Sequence, residues 1–233
     1  MLEPTGVQPA AMFQNRVDAG QKIAERLFGL KLDLFGESGN QNIVILAVPR
    51  GGIIVGDIVA SELAVRLDVV VSRKIGAPNN PELAIGAVMP DGSYFLNQEI
   101  VEMLNVSQEY INIQASTQIK EIDRRLISYR GSKEYDNEFE DKITVLVDDG
   151  IATGATILAS ASWIKNKQRV KKLLIAVPVA PRSILKNLNQ VADDIIVLYT
   201  PDDFMAVGAF YENFAQIGDE EVKEIMKKHG YNV

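Results

Sequence analysis

Residues 142–160 read KITVLVDDGIATGATILAS, and the rest of the chain is interpreted outward from this stretch. It opens on the apolar, β-branched run 143–147, which is typical of a buried strand. Two adjacent carboxylates follow, Asp148 and Asp149, and residues 150–156 then form a turn of small side chains. The pattern predicts a strand, a turn and a helix that begins directly after the turn.

A side-chain-poor turn between a strand and a helix favours anion binding. The first N–H groups of a helix lack an intrahelical partner, and the helix dipole adds positive charge there. Gly154 and Ala155 let a phosphate approach the backbone. Thr153 or Thr156 can donate a hydrogen bond to that phosphate or cap the helix. The two aspartates only accept hydrogen bonds, so they suit sugar hydroxyls or a divalent cation.

An ordinary turn is the competing interpretation of this stretch. Asp-Asp-Gly is common turn chemistry, and helices often begin at threonine, so the dipeptide alone favours a plain turn. The complete string of strand, paired aspartates, TGAT turn and helix favours a binding site. It is not a Walker A loop, because no lysine follows the glycine, and it is not a GxGxxG loop.

The string VLVDDGIATGAT at residues 145–156 resembles the phosphoribosyl-pyrophosphate (PRPP) signature of the type I phosphoribosyltransferases. The resemblance implies that Asp148 and Asp149 hold the ribose 2- and 3-hydroxyls and take part in catalysis. It implies Mg²⁺ as the cofactor, with both aspartates near the metal. It also implies a cradle for the 5-phosphate, formed by Ala152, Thr153, Gly154, Ala155 and Thr156.

Length and composition limit the class of protein. The chain has 233 residues, 47% apolar and 24% charged, which suits one globular domain. Its net charge of −7 argues against general nucleic-acid binding. It contains no cysteine, which excludes disulfides, thiolate zinc sites and cysteine nucleophiles. Its one histidine, His229, lies in the last turn of a predicted helix, so histidine-based catalysis lacks a credible base.

The sequence predicts neither a membrane segment nor a secretory signal. No apolar run reaches the roughly 18 residues that span a bilayer. The start, MLEPTGVQPAAMF, lacks a basic region followed by an apolar one. A cytoplasmic location is therefore expected.

A second strand and loop resemble another part of the same family. Residues 42–48 are nearly all apolar, as in a central parallel strand, and a helix is predicted over residues 53–67. The connecting PRGG would alone indicate a plain turn. Beside the aspartate motif it resembles the family's pyrophosphate loop, which often contains a non-proline cis peptide. The resemblance implies that Arg50, Gly51 and Gly52 contact the diphosphate.

Two cations follow the next predicted strand, residues 68–72. Arg73 and Lys74 would reach the same sheet edge and neutralise a leaving diphosphate, with Lys74 the stronger candidate. The alternative is that both side chains are solvated at the end of the strand and bind no ligand. Residues 75–97 predict a hairpin around an Asp-Gly turn, at the chain position where the family carries a mobile lid.

Two helical patterns flank this region. Residues 13–30 predict an amphipathic helix with Val17, Ile23, Ala24 and Leu27 on its apolar face, and with Arg16 as a solvated charge. Residues 98–130 predict one long helix whose apolar stripe suits core packing or a dimer seam, and a homodimer is expected.

The last predicted strand, residues 194–199, leads into a candidate base-binding segment. DDFMAVGAFYEN resembles the corresponding segment of the 6-oxopurine branch, with one residue extra. The resemblance implies that Phe204 stacks on a base, that Met205 offers backbone contacts, and that Glu212 reaches a second magnesium. Phe204 could instead cap the core.

Alternating strands and helices predict an α/β fold with a doubly wound, mainly parallel sheet and ligands at its carboxyl edge. A single domain is expected, with a core over residues 42–200 and a small hood from residues 1–35 and 200–233. The resemblance implies transfer of 5-phosphoribose from PRPP to a nitrogenous base, with release of pyrophosphate.

The identity of the acceptor base stays open at this point. The 6-oxopurine enzymes carry an aspartate where this chain has Ala152, and alanine resembles the adenine-specific branch. Residues 204–208 resemble the oxopurine branch instead, and a purine-type acceptor is slightly favoured.

Other functional classes remain. One is a regulator that binds PRPP or a nucleotide without turnover, although no separate DNA-binding segment is visible. A PRPP-synthesising diphosphokinase would need an ATP site and usually a second copy of the domain, and no internal repeat is apparent. A dinucleotide-binding oxidoreductase lacks its GxGxxG motif.

Overall fold

A computed structural model describes residues 11–30, 42–135 and 139–233 of the chain. Within these residues, five parallel strands form a central sheet in the order β2-β1-β6-β7-β8, and three antiparallel strands form a smaller sheet in the order β3-β4-β5. The strands are β1 (Ile43–Ala47), β2 (Arg66–Val69), β3 (Arg73–Ala77), β4 (Asn80–Val88), β5 (Tyr94–Leu96), β6 (Ile143–Val147), β7 (Lys172–Val179) and β8 (Asp194–Tyr199).

Helices connect and cover these strands. The α-helices are α1 (Arg16–Gly29), α2 (Gly52–Leu63), α3 (Gln98–Met103), α4 (Gln108–Arg130), α5 (Ala155–Lys167), α6 (Leu185–Val191) and α7 (Asp219–Lys228). Short 3₁₀ turns lie at Arg182–Ile184 and Val207–Phe210.

The two central strands explain where a ligand would bind. Every residue of β1 and β6 is buried, as their continuous apolar sequences predict for parallel strands covered on both faces. The chain moves from β1 outward to β2 on one side, and from β6 outward to β7 and β8 on the other. The order of the strands therefore reverses between β1 and β6, and open α/β sheets bind ligands at such a point. The predicted fold class is confirmed.

The predicted helix over residues 53–67 was too long at its C-terminal end. The helix ends at Leu63, and Ala64 follows in the left-handed conformation (φ 51°). Arg66 and Leu67 belong to β2, where they pair with Val44 and Ile45 of β1. Pairing with the buried central strand prevails over continued helix, which local propensity alone does not reveal.

The predicted single helix over residues 98–130 is two helices, α3 and α4. Asn105 has a positive φ of 48°, which breaks the helix. The Ser107 hydroxyl then accepts a hydrogen bond from the Tyr110 N–H (3.2 Å) and caps α4. Ile111 and Leu126 of the predicted stripe are buried in the core, so packing within the chain accounts for the pattern.

The region predicted as a lid forms the small sheet. Tyr94 of β5 pairs with Val88 of β4, on either side of the expected Asp91-Gly92 turn. Ile75 and Ile85 are fully buried, so much of this segment packs into the core. Movement of the remainder over a ligand stays a prediction.

Segments from both ends of the described chain pack together. Phe13 forms a parallel bridge with Tyr211, and their rings lie 5.2 Å apart between centroids. With Phe210 they belong to a small apolar cluster separate from the main core. The predicted hood falls partly on this region and partly, at residues 1–10 and 31–35, outside the described residues. No helix in the described part of the chain has the length and apolar character needed to cross a membrane.

Candidate active site

The loops that follow β1 and β6 lie against each other at the point where the strand order reverses. A Cβ atom on Gly51 would lie 1.8 Å from Oδ2 of Asp149, and one on Gly52 would lie 2.9 Å from Oδ1 of Asp148. Only glycine permits this approach. The two predicted loops therefore form one site, and the expected non-proline cis peptide, Pro49–Arg50, is present in it.

Two helix N-termini open onto this site. Gly51 is the N-cap of α2 and Gly154 is the N-cap of α5, and neither helix start has a side-chain cap. The prediction that Thr153 or Thr156 caps α5 was wrong. Gly154 takes the cap position with φ 78°, a left-handed conformation that threonine adopts at a cost. The first N–H groups of α5 are consequently available to an anion. At the start of α2, the Ile53 N–H donates to the Arg50 carbonyl (3.2 Å) and the Ile54 N–H donates to the Gly51 carbonyl (3.3 Å), so fewer donors remain there.

A cavity of about 200 Å³ lies at the start of α5. It brings together most of the residues predicted to hold the 5-phosphate with one aspartate and one cation from the other loops. Ala155, also predicted there, is the first residue of α5. The lining includes Lys74, Asp148, Ala152, Thr153, Gly154, Thr156 and Val207.

The two aspartates have different surroundings. Asp148 is partly buried and lines the cavity, and its Oδ1 accepts a hydrogen bond from the Asp149 N–H (2.8 Å). Burial and the adjacent charge of Asp149 raise the pKa of Asp148 well above its ordinary value. Asp149 instead accepts a hydrogen bond at 2.7 Å from Nε of Arg16. Its backbone carbonyl accepts another from the Tyr211 hydroxyl (2.6 Å).

The expectation that Arg16 is a solvated charge was wrong. Its side chain is 9% exposed, its Nη1 donates to the carbonyl of Ala215 (2.8 Å), and its guanidinium lies 3.7 Å from the centroid of the Phe214 ring. The buried face of α1 runs through Arg16 and Ile23, whereas Val17, predicted to be apolar packing, is 40% exposed. An arginine in register with buried positions of an amphipathic helix is the sequence signal that was overlooked.

A group of cations lies on the other side of the loops. Arg50 is exposed and lies 3.7 Å from Asp219. Arg73 donates from Nε to Oε1 of Gln118 (3.0 Å). Lys74 is exposed and has no ion-pair partner within the described ranges. Arg73 and Lys74 both line a second cavity of about 580 Å³, and Lys74 also lines the first.

The predicted base-binding and second-metal residues lie on the segment after β8. Phe204 is partly buried and packs on Phe210, with 5.4 Å between the ring centroids, whereas Met205 is 92% exposed. Glu212 is exposed, and its N–H donates to the carbonyl of Phe13 (2.9 Å). In the part of the chain that is described, no three histidine, cysteine or acidic side chains cluster closely enough to hold a metal ion.

Comparisons with known proteins place the chain in a family. Residues 14–207 match the family described as "Phosphoribosyl transferase domain". A protein of Mycobacterium tuberculosis H37Rv named "Putative phosphoribosyl transferase Rv0571c" is 37% identical over 211 residues, which cover 91% of this chain and 45% of that protein. A protein of strain CDC 1551, MT0597, carries the same description and matches equally. The chain thus spans about half the length of the curated relatives it matches.

A solved structure extends the comparison to the fold. The crystal structure of TT1426 from Thermus thermophilus is 35% identical and superposes with a TM-score of 0.74, covering 93% of this chain and 98% of that one. The match of the family over residues 14–207 includes β1, β6 and the loops that follow them. The chain therefore belongs to the phosphoribosyl transferase domain family.

Proposed function

We propose that this chain transfers 5-phosphoribose from PRPP to a nitrogenous base and releases pyrophosphate. The observation that carries the proposal is the pair of uncapped helix N-termini, at Gly51 and Gly154, which open at the reversal of strand order beside Asp148 and Lys74. A ligand with two separate phosphate groups and a sugar between them matches this arrangement.

The 5-phosphate would bind at the start of α5. Backbone N–H groups after Gly154 supply donors, and the Thr153 and Thr156 side chains line the same cavity. The helix dipole favours a dianion at this position. Asp148, which lines the same cavity, would then accept a hydrogen bond from a ribose hydroxyl.

The diphosphate would bind on the side of α2. Gly51 and Gly52 let the loop backbone lie close to the aspartates, and Arg50 and Lys74 supply positive charge. As the bond from the sugar to the diphosphate breaks, negative charge grows on the leaving group. Fixed cations and N–H groups lower the free energy of that transition state.

The residues present fit Mg²⁺ carried in with PRPP. Mg²⁺ is commonly held by one or two carboxylates together with substrate phosphates. Asp148 supplies one carboxylate at the cavity, and the absence of a three-member ligand cluster among the described residues is consistent with a metal held largely by the diphosphate. Bound there, Mg²⁺ would neutralise charge on the leaving group. A role for Glu212 at a second ion stays part of the proposal.

A purine-type acceptor is the favoured base. Phe204, already packed on Phe210, offers an aromatic surface, and exposed Met205 offers free backbone beside it. Ala152 has no group that can transfer a proton to the ring, so the enzyme would rely on the base itself or on solvent for that step. A homodimer and a cytoplasmic location are further expectations.

The direct test is pyrophosphate release from PRPP and Mg²⁺ with a panel of purine, pyrimidine and other nitrogen acceptors. Asp148→Asn is the informative variant, and Asp194→Asn, at a carboxylate that is 50% exposed at the start of β8, is the control. The proposal would be supported if pyrophosphate release required a particular acceptor. Release should also fall at least about tenfold in Asp148→Asn and not in the control variant. PRPP binding without release from any acceptor would overturn it and favour a PRPP-binding regulator.

A further inference from the structure

One face of helix α4 lines the cavity of about 580 Å³, which lies beside the loop that follows β1. Tyr110, Gln118 and Arg125 of this helix line the cavity together with Arg73 and Lys74 of β3. Helix α4 lies outside every motif that suggested the family. Its polar side chains nevertheless converge with the two cations that the sequence assigned to the diphosphate.

Three cations, Arg73, Lys74 and Arg125, and one carboxylate, Glu82, line the cavity, in a chain whose net charge is −7. Burial lowers the pKa of Arg73, and the nearby charge of Arg125 lowers it further, with smaller contributions from Arg50 and Arg124. Glu121 offsets part of this repulsion. Like charges held this close indicate a site that an anion would stabilise.

The guanidinium groups of Arg73 and Arg125 are both held in position by side chains of helix α4. Arg73 donates from Nε to Oε1 of Gln118 (3.0 Å), and Arg125 donates from Nε to Oε1 of Glu121 (2.7 Å). Among the described residues, only the Nε of each of these two arginines has a hydrogen-bond partner. Their terminal Nη groups are therefore available to a ligand. A preorganised pair of guanidinium groups suits the two phosphates of a diphosphate.

The cavity also continues into the site already described. Lys74 and Thr156 line both this cavity and the one at the start of α5. A single ligand can therefore extend from the 5-phosphate cradle to the face of α4.

We propose that helix α4 forms a wall of the diphosphate site, in which Arg125 binds the diphosphate directly and Gln118 holds Arg73 against it. The ligand class is a magnesium-complexed diphosphate, either free pyrophosphate or the diphosphate of PRPP. The inference rests on the proposed function for its link to PRPP, but binding of pyrophosphate tests it separately.

Neighbouring arginines on α4 provide a matched pair of variants. Arg124 and Arg125 both bind Glu121, but Arg125 alone lines the cavity, and Arg124 is 52% exposed. In calorimetric titration of the full chain with magnesium pyrophosphate, Arg125→Gln should weaken binding about tenfold, and Arg124→Gln less than about twofold. Arg125→Lys, which keeps the charge but loses the fork of donors, should fall between them.

Gln118→Glu provides a second test at nearly constant size. It adds a negative charge at the cavity wall and should weaken pyrophosphate binding, while urea unfolding shows that the fold is retained. The proposal would be overturned if the wild type, Arg125→Gln and Gln118→Glu bound magnesium pyrophosphate equally well. It would also be overturned if the wild type did not bind it. Pyrophosphate release from PRPP is measured in a separate assay. A chain that does not transfer phosphoribose can therefore be told apart from one in which α4 does not bind the diphosphate.

Discussion

Arg16 donates a 2.7 Å hydrogen bond from Nε to Oδ2 of Asp149, across 133 residues of sequence. The two side chains are 9% and 14% exposed, and the Phe214 ring covers the guanidinium. This ion pair fixes the second aspartate of the central motif and ties α1 to the loop that follows β6. The two aspartates therefore have different surroundings: Asp148 lines the cavity at the start of α5, and Asp149 does not.

Arg16→Gln should therefore destabilise the chain. It leaves a poorly solvated carboxylate without its counter-charge, and the expected loss is about 2–4 kcal/mol in the free energy of unfolding. Urea unfolding measures this loss. Lys22→Gln, on the same helix, breaks a more exposed pair with Asp18 and should cost less than about 1 kcal/mol. Equal losses in the two variants would contradict the role given to Arg16.

Gly51→Ala should disable the site. The new Cβ would lie 1.8 Å from Oδ2 of Asp149, so the loop or the aspartate must move. We expect pyrophosphate release to be abolished and the free energy of unfolding to fall by about 1–3 kcal/mol, as measured by enzyme assay and urea unfolding. Gly29→Ala, where a Cβ meets nothing within 4 Å, is the control: activity should be nearly unchanged, and the free energy of unfolding should be unchanged or raised by up to about 1 kcal/mol, since Gly29 is helical. Retained activity in Gly51→Ala would count against the paired-loop site.

The part of the site that sequence predicts well is local. A strand, paired aspartates, small residues and a helix are contiguous in residues 142–160, so their geometry follows from neighbours in the chain. The contact of Arg16 with Asp149 depends on how α1 packs, and local pattern contains no information about its distant partner. The same holds for Arg125, whose position on α4 becomes meaningful only when β3 lies beside it.

Element boundaries were missed for a related reason. β2 begins at Arg66 because that residue pairs with Val44 of the central sheet, although the preceding sequence continues the apolar pattern of α2. The break between α3 and α4 had a local signal, Asn105 followed by the cap residue Ser107. A continuous apolar stripe concealed this signal.

Asp57 should make stability depend on pH. It joins α2 to the end of α7 through His229 Nε2 (2.7 Å) and Lys228 Nζ (2.8 Å). Burial alone would raise the pKa of Asp57, but the hydrogen bonds from His229 and Lys228 lower that pKa below its ordinary value overall. A carboxylate with a lowered folded pKa stabilises the fold above its unfolded pKa, and that stabilisation is lost as the pH falls through the folded pKa.

Asp57→Asn should accordingly lower the free energy of unfolding by about 1 kcal/mol near pH 7 and by almost nothing near pH 2. Urea unfolding across this range measures the difference. Asp202→Asn, at an exposed carboxylate, should show no comparable trend. A difference between Asp57→Asn and wild type that stays constant with pH would contradict the assignment.

The end of α4 is anchored by a buried ion pair. Arg130 donates from Nε to Oδ1 of Asp68 (2.7 Å) and from Nη2 to Oδ2 (3.0 Å), and the side chains are 2% and 0% exposed. The Tyr135 ring lies 4.0 Å from the guanidinium carbon. This pair connects α4, which carries Arg125, to β2 of the central sheet.

Asp68→Asn should lower the free energy of unfolding by about 3–5 kcal/mol, because it removes the buried carboxylate charge that Nε and Nη2 of Arg130 bind. The double variant Asp68→Leu/Arg130→Met removes both charges, and its loss should be smaller than the sum of the losses in Asp68→Leu and Arg130→Met, since each single variant removes one member of the ion pair and leaves the other charge in the core. Urea unfolding of the two single variants and the double variant measures this coupling. Additive losses would mean that the two side chains stabilise the fold independently and that the ion pair does not anchor α4.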